Sequence, residues 1–68
     1  MHNLPIYPRL EGMIAERGLN YRQTAAGIGL SEQAFSRRMR GRARFKVEEV
    51  VRLCNYFDKP IEEVFPVT

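Results

Sequence analysis

Residues 21–40 read YRQTAAGIGLSEQAFSRRMR, and this stretch contains the start of one helix, its end and the start of the next. Asn20 precedes it with a short oxygen-bearing side chain, and Gln23 stands at the third helical position, which is typical of a capping box. The helix is expected to end near Ile28, because Gly29 adopts the left-handed conformation at no steric cost. The chain is therefore predicted to turn sharply at Gly29.

The second helix of the stretch is expected from Glu32 to about Arg40, after the N-cap residue Ser31. Its apolar residues Phe35 and Met39 are four positions apart, so a single narrow stripe faces the interior. Most of the remaining helix surface is expected to be exposed. The stretch thus predicts two short helices joined by a tight turn, the second of them largely polar outside.

Three further helices are expected around this pair, at about 8–17, at about 47–57 and from Pro60 to Phe65. The inward stripe of the helix at 47–57 is predicted to consist of Val47, Val50, Val51, Cys54 and Phe57. Strand signals are nearly absent, since no alternating run of β-branched and aromatic residues reaches five positions. The 68 residues therefore predict one domain, 1–68, folded as a compact all-α bundle of five helices.

Basic residues are concentrated at the end of the second helix and directly after it. Six of the eleven lysines and arginines lie within residues 37–46, and no acidic residue falls among them. The rest of the chain carries five basic and eight acidic residues. Residues 37–46 therefore have a net charge of +6, and the remaining residues have a net charge of −3. This distribution is typical of a protein that presents one surface to a polyanion, nucleic acid above all. The alternative is a solvated basic loop without a partner.

Enzymatic and metal chemistry have little support in the sequence. His2 is the only histidine, and one histidine with one cysteine cannot supply a usual zinc site. Cys54 is interpreted as a small buried hydrophobe and not as a nucleophile or sensor. Because purely apolar stretches are two or three residues long, we expect no membrane span. A cytoplasmic protein that is not an enzyme, with no cofactor, metal or small-molecule substrate, is predicted.

The pair of helices resembles the helix-turn-helix unit of the Cro and phage-repressor family, also called Xre-type regulators, with the unit beginning at Tyr21. Ala25 matches the family's small residue that lets the two helices approach, and Gly29 matches its turn glycine. Positions that are apolar in the family are also apolar here, at Ile28, Leu30 and Phe35. The similarity covers about 9–65, and it implies a lambda-repressor-like DNA-binding domain of five helices.

Some positions depart from the family pattern. Thr24 and Arg38 stand at positions where the family usually has an apolar residue. In place of Arg38, the next residue, Met39, is expected to supply the apolar side chain. Arg38 is interpreted as a side chain that extends from a site near the core into solvent. Many relatives pair an arginine of the first helix with a glutamate of the third, where this chain has Ile14 and Met39. An apolar contact between these two residues is predicted in place of the ion pair.

The resemblance implies that the second helix of the unit enters the major groove of DNA, where each base pair presents its own pattern of donors and acceptors. Its outward residues match base-contacting positions of relatives, at Glu32, Gln33, Ser36 and Arg37. Gln33 is suited to adenine, Arg37 to guanine and Glu32 to the amino group of cytosine. The alternative is a solvated helix face, and Glu32 also suits the helix dipole.

Phosphate contacts are expected at Tyr21, Arg22, Arg40, Arg42 and Arg44. Free backbone amides at the start of a helix attract anions, and guanidinium groups bind phosphate bidentately. Tyr21 replaces the glutamine usual in relatives, and its hydroxyl is able to donate to a phosphate. For the arginines, the alternative is that they only keep the loop soluble.

The function implied by the resemblance is a sequence-specific regulator of transcription that binds double-stranded DNA, a repressor of phage or mobile-element type. A homodimer is expected, because two recognition helices read half-sites about one helical turn apart, roughly 34 Å. Relatives dimerise through their C-terminal part, so an exposed apolar interface is predicted at Tyr56, Phe57, Phe65 and Val67, with membership of the core as the alternative. Two other functions remain open, an antitoxin or adaptor that binds a protein partner, and a non-specific nucleic-acid binder.

Overall fold

Five α-helices follow one another in the computed structural model, which describes residues 6–65. They are α1 (Pro8–Glu16), α2 (Tyr21–Gly27), α3 (Glu32–Met39), α4 (Val47–Phe57) and α5 (Ile61–Val64). No strand occurs within the described range, and no helix in it has the length and apolar character needed to cross a membrane. The predicted all-α class is confirmed, and every helix begins and ends within one residue of its predicted bounds.

Local hydrogen bonds set the ends of α2 and the start of α3. Asn20 Oδ1 accepts the Gln23 backbone N–H at 2.8 Å, and Gln23 Oε1 accepts the Asn20 N–H at 3.0 Å. Gly29 follows α2 with φ of 78°, in the left-handed region that favours glycine. Ser31 Oγ then accepts the Ala34 N–H at 3.1 Å. The predicted capping box, turn glycine and second cap are therefore all confirmed.

Within residues 6–65, one cluster of buried apolar side chains joins the five helices. Its members are Leu10, Ile14, Ala25, Ile28, Phe35, Met39, Leu53, Phe57 and Val64. Ala25 is fully buried, as expected for a small residue where two helices approach each other. Ile14 and Met39 both belong to this cluster, and the direct contact between them stays a prediction.

Thr24 is also fully buried, although it is polar. Its hydroxyl donates at 2.9 Å to the carbonyl of Asn20, the N-cap residue of α2. A buried hydroxyl that is hydrogen-bonded avoids most of the cost of leaving water. The domain therefore accommodates threonine at a position where an apolar residue is usual in the family it resembles.

The buried face of α4 differs from the predicted one. Val47 is 80% exposed and Val51 is 52% exposed, so the prediction that both face inward is wrong. Leu53 is fully buried instead, and Glu49 is 4% exposed. Apolar residues occupy several sides of α4, so helical spacing alone does not select the buried side. The contacts that Leu53 and Glu49 make with other elements select it.

Aromatic rings hold the segment between α3 and α4 against the core. The Phe45 ring centroid lies 5.4 Å from that of Tyr7, 5.5 Å from that of Phe65 and 6.0 Å from that of Phe35. The rings of Tyr7 and Phe65 also meet edge to face at 5.3 Å. Such geometry is favourable for aromatic pairs beyond the area that they bury. The segment is thus fixed to the domain at Phe45, close to the start of α4.

The predicted dimer interface is packed largely into the domain. Phe57 is 1% exposed and belongs to the core, so its prediction as an exposed interface residue is wrong. Phe65 is half-buried among aromatic rings, and Tyr56 is half-buried against α2. Val67 lies outside the described residues. The physical reason is the small size of the domain, which needs its C-terminal aromatic side chains to complete the core.

Candidate nucleic-acid interface

The exposed side of α3 brings together the four residues predicted to contact bases. One open depression of the surface is lined by Glu32, Gln33, Ser36 and Arg37. Glu32, Gln33 and Arg37 are exposed, and Ser36 is half-buried. Residues three and four apart share a side of a helix, which explains why these positions converge. The face combines a carboxylate, an amide, a hydroxyl and a guanidinium group, so it offers both donors and acceptors.

Contacts on the opposite side of α3 hold that face in place. Phe35 is fully buried, and its ring meets the Tyr21 ring edge to face at 5.3 Å. Ala25 of α2 is fully buried, and its small side chain leaves room for α3 to lie close to α2. The outward face of α3 is therefore presented by a helix that is anchored through its apolar stripe.

A basic segment follows directly after α3. Gly41 ends the helix with φ of 77°, and the Arg42 N–H donates to the Arg37 carbonyl at 2.8 Å. These are features of a left-handed C-terminal cap, which reverses the chain just after the helix. Arg40, Arg42 and Arg44 follow the helix, and all three are exposed. The backbone at Arg42 thus returns to Arg37, the last of the predicted base-reading residues.

The start of α2 differs from the sequence-based expectation for Tyr21. Its hydroxyl donates to the carboxylate of Glu11 in α1. The hydroxyl hydrogen that was expected to bind a DNA phosphate is therefore used in a hydrogen bond within the domain. Burial, and then the hydrogen bond to Glu11 and the negative charge of Glu11, raise the pKa of Tyr21 to about 12, while the charge of Arg40 acts in the opposite direction. Arg22 is exposed, as a phosphate contact requires.

Comparison with known families gives one result. The family model described as a helix-turn-helix domain matches residues 9–64. The chain belongs to this helix-turn-helix family. No significant match is found among curated proteins or among solved structures. The match spans α1 to α5, with α2 and α3 as the two helices joined by the turn. The chain is therefore a helix-turn-helix DNA-binding domain, and α3 is its exposed second helix.

One interaction of this helix-turn-helix domain was missed by sequence reasoning. Arg38 Nε donates to Glu49 Oε1 at 2.8 Å, and the two side chains are only 14% and 5% exposed. The expectation that Arg38 extends into solvent is therefore wrong. The partners are separated by a turn and a connector, so no local spacing pairs them. The available signal is indirect, since Arg38 occupies a position that is usually apolar and Glu49 stands in the first turn of α4.

Cys54 of the helix-turn-helix domain is half-buried on α4. Burial, and secondly the nearby charge of Glu62, raise the pKa of its thiol. Because the thiolate is the nucleophilic form, a raised pKa keeps this side chain in its unreactive form at neutral pH. This environment supports the interpretation of Cys54 as a small hydrophobic residue.

Proposed function

We propose that this chain is a sequence-specific regulator of transcription of the Cro and phage-repressor type, and that it represses promoters of a phage or mobile element in the cytoplasm. The observation that carries the proposal is the convergence of four polar side chains in one depression on α3, which is followed in the chain by a segment rich in arginine. Base edges require varied donors and acceptors, whereas the DNA backbone requires positive charge. Here the varied polar groups line α3, and the positive charge follows it along the chain.

Base reading is assigned to the face of α3. Gln33 is suited to bidentate pairing with adenine and Arg37 to bidentate pairing with guanine. Glu32 accepts from the amino group of cytosine, and Ser36 is short enough to suit several bases. Each good bidentate pair discriminates against a wrong base by about 1–3 kcal/mol. Gln33 and Arg37 therefore carry most of the proposed specificity.

Phosphate binding is assigned to arginines on two elements. Arg40, Arg42 and Arg44 follow α3, and Arg22 lies in the first turn of α2. Guanidinium groups pair with phosphate bidentately and carry no sequence information of their own. These contacts set the orientation of α3 on the duplex. Tyr21 is left out of this group, because its hydroxyl donates to Glu11.

A homodimer is part of the proposal. A single α3 reads only a few base pairs, whereas two copies related by a twofold axis read half-sites about 34 Å apart. The partners of the chain are therefore double-stranded DNA and a second copy of itself. Tyr56 and Phe65 remain candidates for the interface, since each is only half-buried within one copy.

Selection of bound duplexes from a random pool tests this function directly. Enrichment of a palindrome whose half-sites lie one helical turn apart is the expected result, and it reports sequence reading and dimeric symmetry together. Enrichment of a single half-site would contradict the homodimer. If the protein retains duplexes without enriching any sequence, the arginines bind DNA non-specifically and α3 does not read bases.

A further inference from the structure

The buried ion pair between Arg38 and Glu49 has a consequence for DNA binding. We infer that this pair positions the arginine connector, defined here as residues 40–46, so that Arg42 and Arg44 meet the phosphate backbone without first being ordered. The inference rests on the proposed function, because it concerns how the proposed phosphate contacts are formed. Arg38 and Glu49 are assigned as positioning residues that do not themselves touch DNA.

The start of the arginine connector is tied to Arg38 through the main chain. The Gly41 N–H donates to the Arg38 carbonyl at 3.1 Å, next to the bond from the Arg42 N–H to the Arg37 carbonyl. The Arg38 side chain is itself held on α3, since its Nη1 donates to the Ala34 carbonyl at 3.0 Å. The first residues of the connector therefore follow the placement of Arg38.

The end of the connector is tied to the same residue through Glu49. The Glu49 oxygen that accepts from Arg38 Nε, Oε1, also accepts the Lys46 backbone N–H at 2.8 Å. One carboxylate oxygen thus joins the last residue of the connector to the guanidinium of α3. Both ends of the connector are held by hydrogen bonds that converge on Arg38, and Arg42 and Arg44 lie between them.

Stability alone is a weak reason for such a pair. Removing two charges from water is costly, and apolar residues of similar size in place of a buried ion pair often leave stability unchanged or raise it. Holding a loop in its bound conformation, by contrast, lowers the entropy lost on binding. The two hydrogen bonds of Glu49 Oε1 provide such a restraint.

A charge-neutral double replacement separates positioning from stability. Arg38→Met combined with Glu49→Met removes one positive and one negative charge, so the net charge that attracts DNA is unchanged. Circular dichroism and thermal unfolding check that the variant is folded. Affinity for a short duplex of mixed sequence is then measured over a salt series, with Arg42→Ala introduced into the natural chain and into the double variant. Arg22→Ala is the matched control, because Arg22 lies on α2 and outside the connector.

The expected result is coupling between the ion pair and Arg42. Arg42→Ala should weaken binding about 5-fold in the natural chain and less than about 2-fold once the pair is removed, because a connector held only by its Gly41 cap and the Phe45 ring no longer places Arg42 at a phosphate. The double replacement alone should make log K fall less steeply with log salt, by about 0.9 for each phosphate that the connector no longer neutralises. Arg22→Ala should weaken binding by the same factor in both backgrounds.

Equal effects of Arg42→Ala in the two backgrounds, with an unchanged salt slope, would overturn the inference and leave the proposed function standing. No binding of the natural chain to any duplex would overturn both. Should the double variant fail to fold, amide hydrogen exchange in the natural chain decides the matter. The Lys46 amide, which donates to Glu49 Oε1, is expected to be protected before DNA is added, and protection that arises only with the duplex would show that the pair does not preset the connector.

Discussion

The ring of Tyr56 in α4 occupies the space beside Gly27 where a side chain of α2 would stand. A Cβ atom at Gly27 would lie 2.7 Å from Tyr56 Cζ, closer than such atoms approach in real proteins. Glycine inside a helix costs up to about 1 kcal/mol relative to alanine. Glycine is nevertheless suited to residue 27, because α2 and α4 meet through the Tyr56 ring and leave no space for a side chain there.

Replacement of Gly27 should have opposite effects in two backgrounds. Gly27→Ala is expected to lower the free energy of unfolding by about 1 kcal/mol, since displacement of the Tyr56 ring outweighs the gain in helix propensity. In a Tyr56→Ala background the same change should stabilise the domain, by up to about 1 kcal/mol. Urea unfolding of the four proteins measures both effects. Additive changes would show that the ring does not limit residue 27.

Replacement of Arg37 should weaken binding in a way that depends on the DNA sequence, and replacement of Arg42 should weaken binding to every sequence. Arg37→Ala is expected to cost about 1–3 kcal/mol on the selected site and little on a scrambled duplex, because a bidentate base contact exists only where the right base is present. Arg42→Ala should weaken binding to both duplexes and reduce the salt slope by about 0.9. Titrations of both duplexes at several salt concentrations test this. Equal reductions in affinity for both variants on every sequence would contradict base reading by α3.

The Tyr21 hydroxyl should lose its proton at a higher pH than an ordinary tyrosine, and its pKa should depend on Glu11. Its pKa of about 12 is raised first by burial, so Glu11→Ala should lower the pKa while leaving it above the usual value of 10.0. Between these two pH values the folded state holds a proton that the unfolded state has lost, so stability should fall as the pH rises through this range. Ultraviolet absorbance of the phenolate measures the titration, and Tyr21→Phe identifies the step by difference. A pKa unchanged by Glu11→Ala would contradict the contact.

Arg17 should stabilise the end of α4 from the end of α1. Its guanidinium donates to the Tyr56 carbonyl at 3.2 Å and to the Phe57 carbonyl at 2.8 Å, and it lies 5.1 Å above the Phe57 ring centroid. Arg17→Ala is expected to cost about 1 kcal/mol of unfolding free energy, because a cation and two donors leave a helix C-terminus. Thermal unfolding checks this. Arg9→Ala, on the exposed side of α1, is the control and should have little effect.

The candidate site was predictable to the extent that it depends on α3 alone. Once Phe35 and Met39 face the core, the helical repeat directs Glu32, Gln33 and Arg37 outward, and the structure places them around one depression. The partner of Tyr21 was not predictable in this way. Glu11 is ten positions away on another helix, and only the packing of α1 beside α2 brings the carboxylate to the hydroxyl.

By itself, the sequence determined where the helices begin and end. Asn20 with Gln23, Gly29 and Ser31 act through hydrogen bonds or backbone preferences that reach no more than three residues along the chain, so neighbouring residues contain all the information.

Only the tertiary structure decided which side of α4 is buried and where Arg38 finds its partner. Val47 and Val51 are apolar like Leu53, and they are exposed because Leu53 and Glu49 face the rest of the domain. Helical spacing shows which residues share a side of a helix, but it does not show which side another helix will cover. Burial and ion pairing depend on surfaces that meet only after the chain has folded.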